Sequence, residues 1–203
     1  MRDSINIAVL VSGGGTNLQA LIDAEKSGII KHGKIKLVVS SNDKAYALTR
    51  AELNNIDTVS VSKKALGSKA FEEQIIASLE KYEIDLIVLA GFMSILSEDF
   101  TKRYDRRIVN VHPSLIPSFC GEGFYGLRVH EKALEKGVKV TGATVHFVNE
   151  IPDGGEIIMQ KAVEVLDNDT PEVLQRRVME NAEWIILPQS VEKVACEILE
   201  KEN

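Results

Sequence analysis

Short apolar runs rich in β-branched residues alternate with longer amphipathic stretches through the first half of the chain, and this alternation narrows its possible folds more than any other feature. Strands are expected at 5–11, 34–40, 58–61, 86–90 and 108–111, with helices at 17–27, 45–54 and 68–82 between them. Strands separated by helices of this length specify βαβ crossovers and hence a parallel sheet. Phe71, Ile75, Ile76 and Leu79 recur at helical spacing and mark the face that packs on that sheet. A short helix at 129–135 leads to a strand at 140–148, where Thr141, Ala143, Val145 and Phe147 alternate with Gly142, Thr144 and His146. Pro152-Asp153-Gly154-Gly155 is a turn signal, so the strand at 157–165 is expected to pair antiparallel with its predecessor. From Thr170-Pro171-Glu172 the tail reads as helix to near the C-terminus, with Pro188 as a candidate interruption. The expected architecture is α/β: a single Rossmann-like domain over 1–203, a mostly parallel sheet with an antiparallel C-terminal strand pair, and a C-terminal helix.

The 203 residues suffice for one substantial core. A formal charge of -6 argues against broad nucleic-acid or anionic-membrane binding, so any phosphate site must be local. No apolar run approaches the roughly 18 residues that span a bilayer. The apolar segment at 5–11 is too short and wrongly flanked for a signal peptide. Cys120 and Cys196 are the only cysteines and show neither CxxC nor metal-finger spacing. Both are read as reduced thiols of a cytoplasmic protein. Cys120 is read as an incidental loop residue, since nothing near it in sequence lowers its pKa.

Ser12-Gly13-Gly14-Gly15-Thr16-Asn17 follows the first strand and opens the first helix, where bare backbone N–H groups and the helix dipole suit a phosphate. The dinucleotide fingerprint is only partly met, because Leu18 stands at its third glycine. A tight turn capped by Thr16 or Asn17 is an alternative that needs no ligand.

Asn110 and His112 lie two apart on an expected strand, hence on one face, at the end where open α/β sheets bind ligands. An amide N–H suits an oxyanion and an imidazole carries a proton near neutral pH, which together favour acyl chemistry. Asp153 sits in a glycine turn whose plain role is turn chemistry. If the fold brings it beside His112, its charge is expected to raise the histidine pKa and favour imidazolium.

These residues resemble the glycinamide ribonucleotide formyltransferase family over nearly the whole chain. The similarity is carried by four motifs in order: Val9 through Ala20 with its glycine turn, Leu89-Ala90-Gly91-Phe92-Met93, Asn110-Val111-His112-Pro113-Ser114-Leu115-Ile116-Pro117, and Gly142 through Val148 followed by Asp153-Gly154-Gly155. The resemblance implies Asn110, His112 and Asp153 as catalytic residues. It implies a substrate phosphate on Gly15, Thr16 and Asn17, with Glu183 on the ribose. It also implies 10-formyltetrahydrofolate as co-substrate in a cleft lined by Met93, Ser94, Ile95, Leu96, Asn110, Asn149, Glu150, Ile151, Pro152 and Asp153, with Lys69 near its edge. No metal is expected, since the four histidines show no ligand spacing. His130 and His146 read as structural, although His146 faces a strand close to the site. The implied partners are small molecules, in a monomer or homodimer.

Several positions depart from the family pattern. Lys69 and Ser94 stand where many members have arginine, Met179 replaces a polar residue, and Trp184 stands where a histidine is frequent. One residue is inserted just before Glu183, and the loop 118–126 is longer than usual. Asn-x-His-Pro and Asp-Gly-Gly occur across folate-dependent formyl-transferring and formyl-hydrolysing enzymes, so a formyltetrahydrofolate hydrolase is the nearest alternative. A methionyl-tRNA formyltransferase is disfavoured by the acidic charge and the short tail, and a non-catalytic nucleotide-binding module leaves Asn110, His112 and Asp153 unexplained.

Overall fold

The computed structural model of the chain describes residues 2–202. The described residues form a seven-stranded sheet in the order β3-β2-β1-β4-β5-β6-β7. The strands are β1 (Ile5–Val11), β2 (Gly33–Ser40), β3 (Asp57–Ser60), β4 (Leu86–Leu89), β5 (Ile108–His112), β6 (Val140–Phe147) and β7 (Ile157–Glu164). β1 pairs parallel with β2 and β4, and the parallel run extends to β3 and β5. β6 pairs antiparallel with both β5 and β7, so the expected C-terminal pair is present and its antiparallel character reaches into β5.

Both faces of the parallel strands are covered, which is why they read as continuous apolar runs rather than alternations. Val9, Val11, Val88, Val109 and Val145 pack on one face with Leu18 and Leu21 of α1 (Thr16–Ser27) and Leu187 and Val191 of α7 (Trp184–Glu202). On the other face, Ala8, Leu10, Leu37, Ile87 and Leu89 meet Phe71, Ile75 and Leu79 of α3 (Lys63–Lys81) and Phe100 of α4 (Glu98–Arg103). Phe71, at 1% exposure, is fully committed to this layer; truncation to alanine is expected to cost about 3–5 kcal/mol. The remaining helices are α2 (Tyr46–Leu53), α5 (Leu127–Lys136) and α6 (Pro171–Val178).

The strand order reverses between β1 and β4, and such a reversal opens a crevice at the carboxyl ends of the strands. There the backbone N–H of Met93, after β4, donates to Ser12 Oγ, after β1, at 2.9 Å. Three local expectations need correction. The helix expected at 68–82 begins at Lys63 and breaks at Gly67, whose φ of 77° and ψ of 167° lie outside helical space. α4 has no counterpart among the sequence-based expectations because it is a short helix; it starts at Ser97, whose side chain accepts from Phe100 N. The tail is not interrupted at Pro188, which lies inside α7, but one turn earlier, by a π-helical turn at Met179–Glu183. No helix among the described residues is long and apolar enough to cross a membrane.

Candidate active site

Val109 and Val111 point into the core, so Asn110 and His112 emerge together from the other face of β5. The antiparallel register sets His146 opposite Asn110 and Thr144 opposite His112. His146 is buried, and its Nδ1 lies 2.8 Å from the Phe147 carbonyl oxygen. That partner assigns the proton to Nδ1, which leaves Nε2 to accept from Asn110 Nδ2 at 3.2 Å. The histidine thereby fixes which end of the Asn110 amide is the donor, and the second amide N–H remains for a ligand.

Asp153 reaches the same point from the β6–β7 connection. Its own φ is 55°, and a Cβ on Gly155 would lie 1.8 Å from the Phe147 carbonyl oxygen, so the connection folds this tightly only with glycine there. Asp153 Oδ2 accepts from Gly121 N at 2.8 Å and lies 3.4 Å from His112 Nδ1, while Oδ1 lies 3.5 Å from His146 Nε2. His112 Nε2 donates to the Phe119 carbonyl at 2.9 Å, which turns Nδ1 towards Asp153.

The electrostatics differ from the expectation for His112. Burial pushes its pKa below the ordinary value, and that outweighs the upward pull of Asp153 and the Phe119 carbonyl, so the proximity holds but the direction of the shift is reversed. Burial alone would raise the Asp153 carboxyl; the hydrogen bond and positive charge that His146 and His112 supply in their protonated forms, with the Gly121 N–H, together bring it below the usual range. The resting pair is therefore an ionised Asp153 beside a neutral His112. Burial, and then the charge of Asp153, push the Cys120 thiol up, so it is no activated nucleophile. His130 on α5 is also buried, which lowers its pKa to about 4, and neither ring nitrogen has a partner among the described residues.

Thr144 secures the loop after His112: its Oγ1 donates to the Ser114 carbonyl at 2.7 Å and accepts from Ile116 N at 3.0 Å and Gln160 Nε2 at 2.9 Å. In front of this corner lies a cavity of about 610 Å³, lined by Met93, Ser94, Ile95, Asn110, His112, Pro152 and Asp153, with Phe124 and Tyr125 also in its wall. A smaller cavity of about 130 Å³ shares Ser94, Ile95, Asn110, Pro152 and Asp153 and adds Leu96, His146, Asn149, Glu150 and Ile151. The fold thus gathers every residue expected on the folate side except Lys69, which is exposed on α3 and lines neither cavity.

The glycine turn is a separate element of the crevice. Gly15, at φ 73°, is the N-cap of α1; a Cβ there would meet Ala47 Cβ at 2.7 Å, and no side chain caps the helix. Its first-turn N–H groups have no intrahelical partner, and among the described residues Thr16 Oγ1 hydrogen-bonds to Met179 Sδ, at 3.9 Å. Arg50 Nε donates to the Gly14 carbonyl at 2.8 Å, bringing a cation to the turn. Asn17 Nδ2 donates to Glu183 Oε2 at 2.7 Å. Burial pushes the Glu183 pKa up to about 7, against the downward effect of Asn17, whose own Oδ1 is buried without a partner among the described residues. Glu183 closes the π-helical turn. Such a turn holds one extra residue in a helix, which suits the extra residue expected before Glu183, and the carboxylate is aimed at Asn17.

Sequence reasoning under-weighted His146 and passed over Thr144, Gln160 and Arg50. Cross-strand register, not spacing, brings the first two to the site, and a strand-to-helix turn gives no sign of which distant arginine will approach it.

Comparison with known proteins is consistent with this geometry. The formyl transferase family profile matches residues 5–191. The chain is 41% identical over 175 residues to phosphoribosylglycinamide formyltransferase of Escherichia coli (strain K12), covering 86% of this chain and 80% of that protein. It is 44% identical over 194 residues to the trifunctional purine biosynthetic protein adenosine-3 of Gallus gallus, covering 95% of this chain but only 19% of that much longer protein. The crystal structure of glycinamide ribonucleotide transformylase 1 from Symbiobacterium toebii superposes with a TM-score of 0.89 at 39% identity, covering 97% of this chain and 90% of that one.

Proposed function

Because the chain belongs to the formyl transferase family, we propose that it acts as one formyltransferase unit, moving the formyl group of 10-formyltetrahydrofolate to the amine of 5'-phosphoribosylglycinamide in purine synthesis. The observation that carries this reading is the convergence of Asn110, His112 and Asp153 beside a cavity whose lining residue Met93 hydrogen-bonds to Ser12, at the head of the turn that leads to an uncapped helix N-terminus. One end of that arrangement suits a transferring carbonyl, the other a phosphate.

In this reading the amine attacks the formyl carbon, and the new C–N bond forms as the carbonyl oxygen becomes an oxyanion. The free N–H of Asn110 donates to that oxyanion. His112 enters neutral and takes up the proton that the attacking amine releases; the oxyanion and Asp153 beside it favour that imidazolium, which hands the proton on to N10, so the stabilisation is strongest in the transition state. The C–N10 bond then breaks, N10 gains a proton, and the amine loses one, so no net proton is released. Positioning two substrates supplies much of the rate, as the nucleophile is external. Gly15, Thr16 and Asn17 hold the phosphate with Arg50 nearby, Glu183 faces the ribose, and Met93 to Leu96 with Asn149 to Asp153 hold the folate. Lys69 is at most peripheral to it.

The test is a coupled measurement of folate turnover and formylated ribonucleotide with purified protein. Product is expected in one-to-one yield with tetrahydrofolate. Folate turnover that proceeds undiminished without the ribonucleotide replaces this reading with a hydrolase.

A further inference from the structure

At the other end of the sheet from the cleft, three side chains of different chemistry converge on one point. His32 directly precedes β2, and its carbonyl accepts from Ile5 N at 2.8 Å, which ties it to the start of β1. Glu192 and Cys196 lie four residues apart on α7 and so share a face. His32 Nδ1 lies 2.7 Å from Glu192 Oε1 and 3.4 Å from Cys196 Sγ, and the thiol lies 3.8 Å from that same oxygen. We propose that these three atoms form a binding site for a divalent transition-metal ion of the zinc class, with a fourth position open to solvent.

The geometry suits the ion. Donors bound tetrahedrally at zinc distances stand about 3.3–3.6 Å from one another; the two separations to sulfur lie close to that range, and the 2.7 Å His32–Glu192 contact, a hydrogen bond without the ion, must widen by about 0.6 Å when the ion replaces its proton. The carboxylate is already oriented: its Oε2 accepts from Lys31 N at 2.8 Å and His32 N at 3.0 Å, which leaves Oε1 for the ion and supplies the outer hydrogen bonds that ligating carboxylates use. The donor set is imidazole, carboxylate and thiolate, a combination that selects zinc-like ions over magnesium or calcium. His32 is about half exposed, so the point is reachable from solvent. A His–Glu ion pair by itself accounts for the imidazole and carboxylate, but not for a thiol at the apex of both.

Charge balance follows the same pattern. In the metal-free protein the thiol keeps its proton, held by burial and by the Glu192 charge. A divalent ion displaces that proton and the one shared between His32 Nδ1 and Glu192 Oε1; the imidazole then binds through a bare Nδ1, and thiolate plus carboxylate neutralise the ion. Because His32 and Glu192 are 160 positions apart, no spacing motif announces the site. Bound there, the ion would pin α7 to the β1–β2 end of the sheet, away from the formyl-transfer machinery.

Cobalt(II) titration of the chelator-treated full-length protein tests the proposal. One equivalent per chain should bind with a thiolate-to-cobalt charge-transfer band in the near ultraviolet, and zinc should displace it. Cys196→Ser should abolish the band, Cys120→Ser should keep it, and Glu192→Gln should weaken binding at least about tenfold. His32→Gln, at a half-exposed position, should weaken it likewise and serves if Cys196→Ser fails to fold. Zinc should raise the melting temperature of the parent and not of the His32 variant. Absence of a saturable band, a band that survives Cys196→Ser, or one that needs Cys120 overturns the proposal.

Discussion

The corner formed by β5, β6 and Asp153 and the turn at Gly13 to Asn17 face the same crevice, yet they are prepared in opposite ways. In the corner the polar atoms partner one another: His146 bonds to Asn110 and Phe147, His112 to Phe119, and Asp153 to Gly121. In the turn, α1 has no side-chain cap, Asn17 Oδ1 has no partner among the described residues, and Thr16 rests on a thioether. The corner is organised by its own hydrogen bonds; the turn leaves groups open to a ligand. Chemistry demands fixed geometry at the reacting atoms, whereas a phosphate brings its own strong acceptors to bare N–H groups.

This contrast is open to experiment. The largest effect is expected from Asp153→Asn, which keeps the shape but removes the charge beside His112: turnover should fall about 10²- to 10⁴-fold, with the melting curve little changed. Near-normal turnover would remove Asp153 from the reaction. His146→Phe keeps a ring and deletes both nitrogens, so Asn110 loses its orienting partner. A fall in kcat of about 10²-fold with KM for folate nearly unchanged is expected, and an unchanged kcat would mean that the Asn110 amide needs no orienting.

At the turn the signature should invert. Gly15→Ala forces an L side chain into a left-handed backbone against Ala47. It should raise KM for the ribonucleotide about tenfold while kcat changes less, since a hydrogen bond to a charged group is worth roughly 1.5–3 kcal/mol. A kcat-dominated loss would place the turn with the corner. The mildest change is Glu183→Gln, read by stability against pH. Glu183 titrates near 7 in the fold against 4.5 for the unperturbed group, so the folded state binds the proton more tightly. The charging penalty is absent below pH 4.5, grows as pH rises to 7 and is constant above it. The variant should be more stable than the parent by on the order of 3 kcal/mol above that window and equal to it below. No pH-dependent difference would mean that Glu183 is relieved of its burial in solution.

The strands at the centre of the sheet were legible because continuous apolar runs between amphipathic stretches have few other solutions; β1 falls where expected, residue for residue. Asn110 and His112 were legible as a pair because strand period is local. The same locality explains what was missed. α4 is a short helix with little periodicity to read, and the irregularity of the tail depends on hydrogen-bond counting within the π-helical turn rather than on Pro188.

By itself the sequence determined the α/β sheet, the glycine turn at the head of α1 and the same-face placement of Asn110 and His112, because each depends on backbone preferences within a few residues. Only the tertiary structure decided that Asp153 and His146 join them, that His112 rests neutral beside an ionised Asp153, and that His32, Glu192 and Cys196 meet at the far end of the sheet. Those outcomes depend on register, burial and the charges that surround a group, and all three are properties of chain segments far apart in sequence.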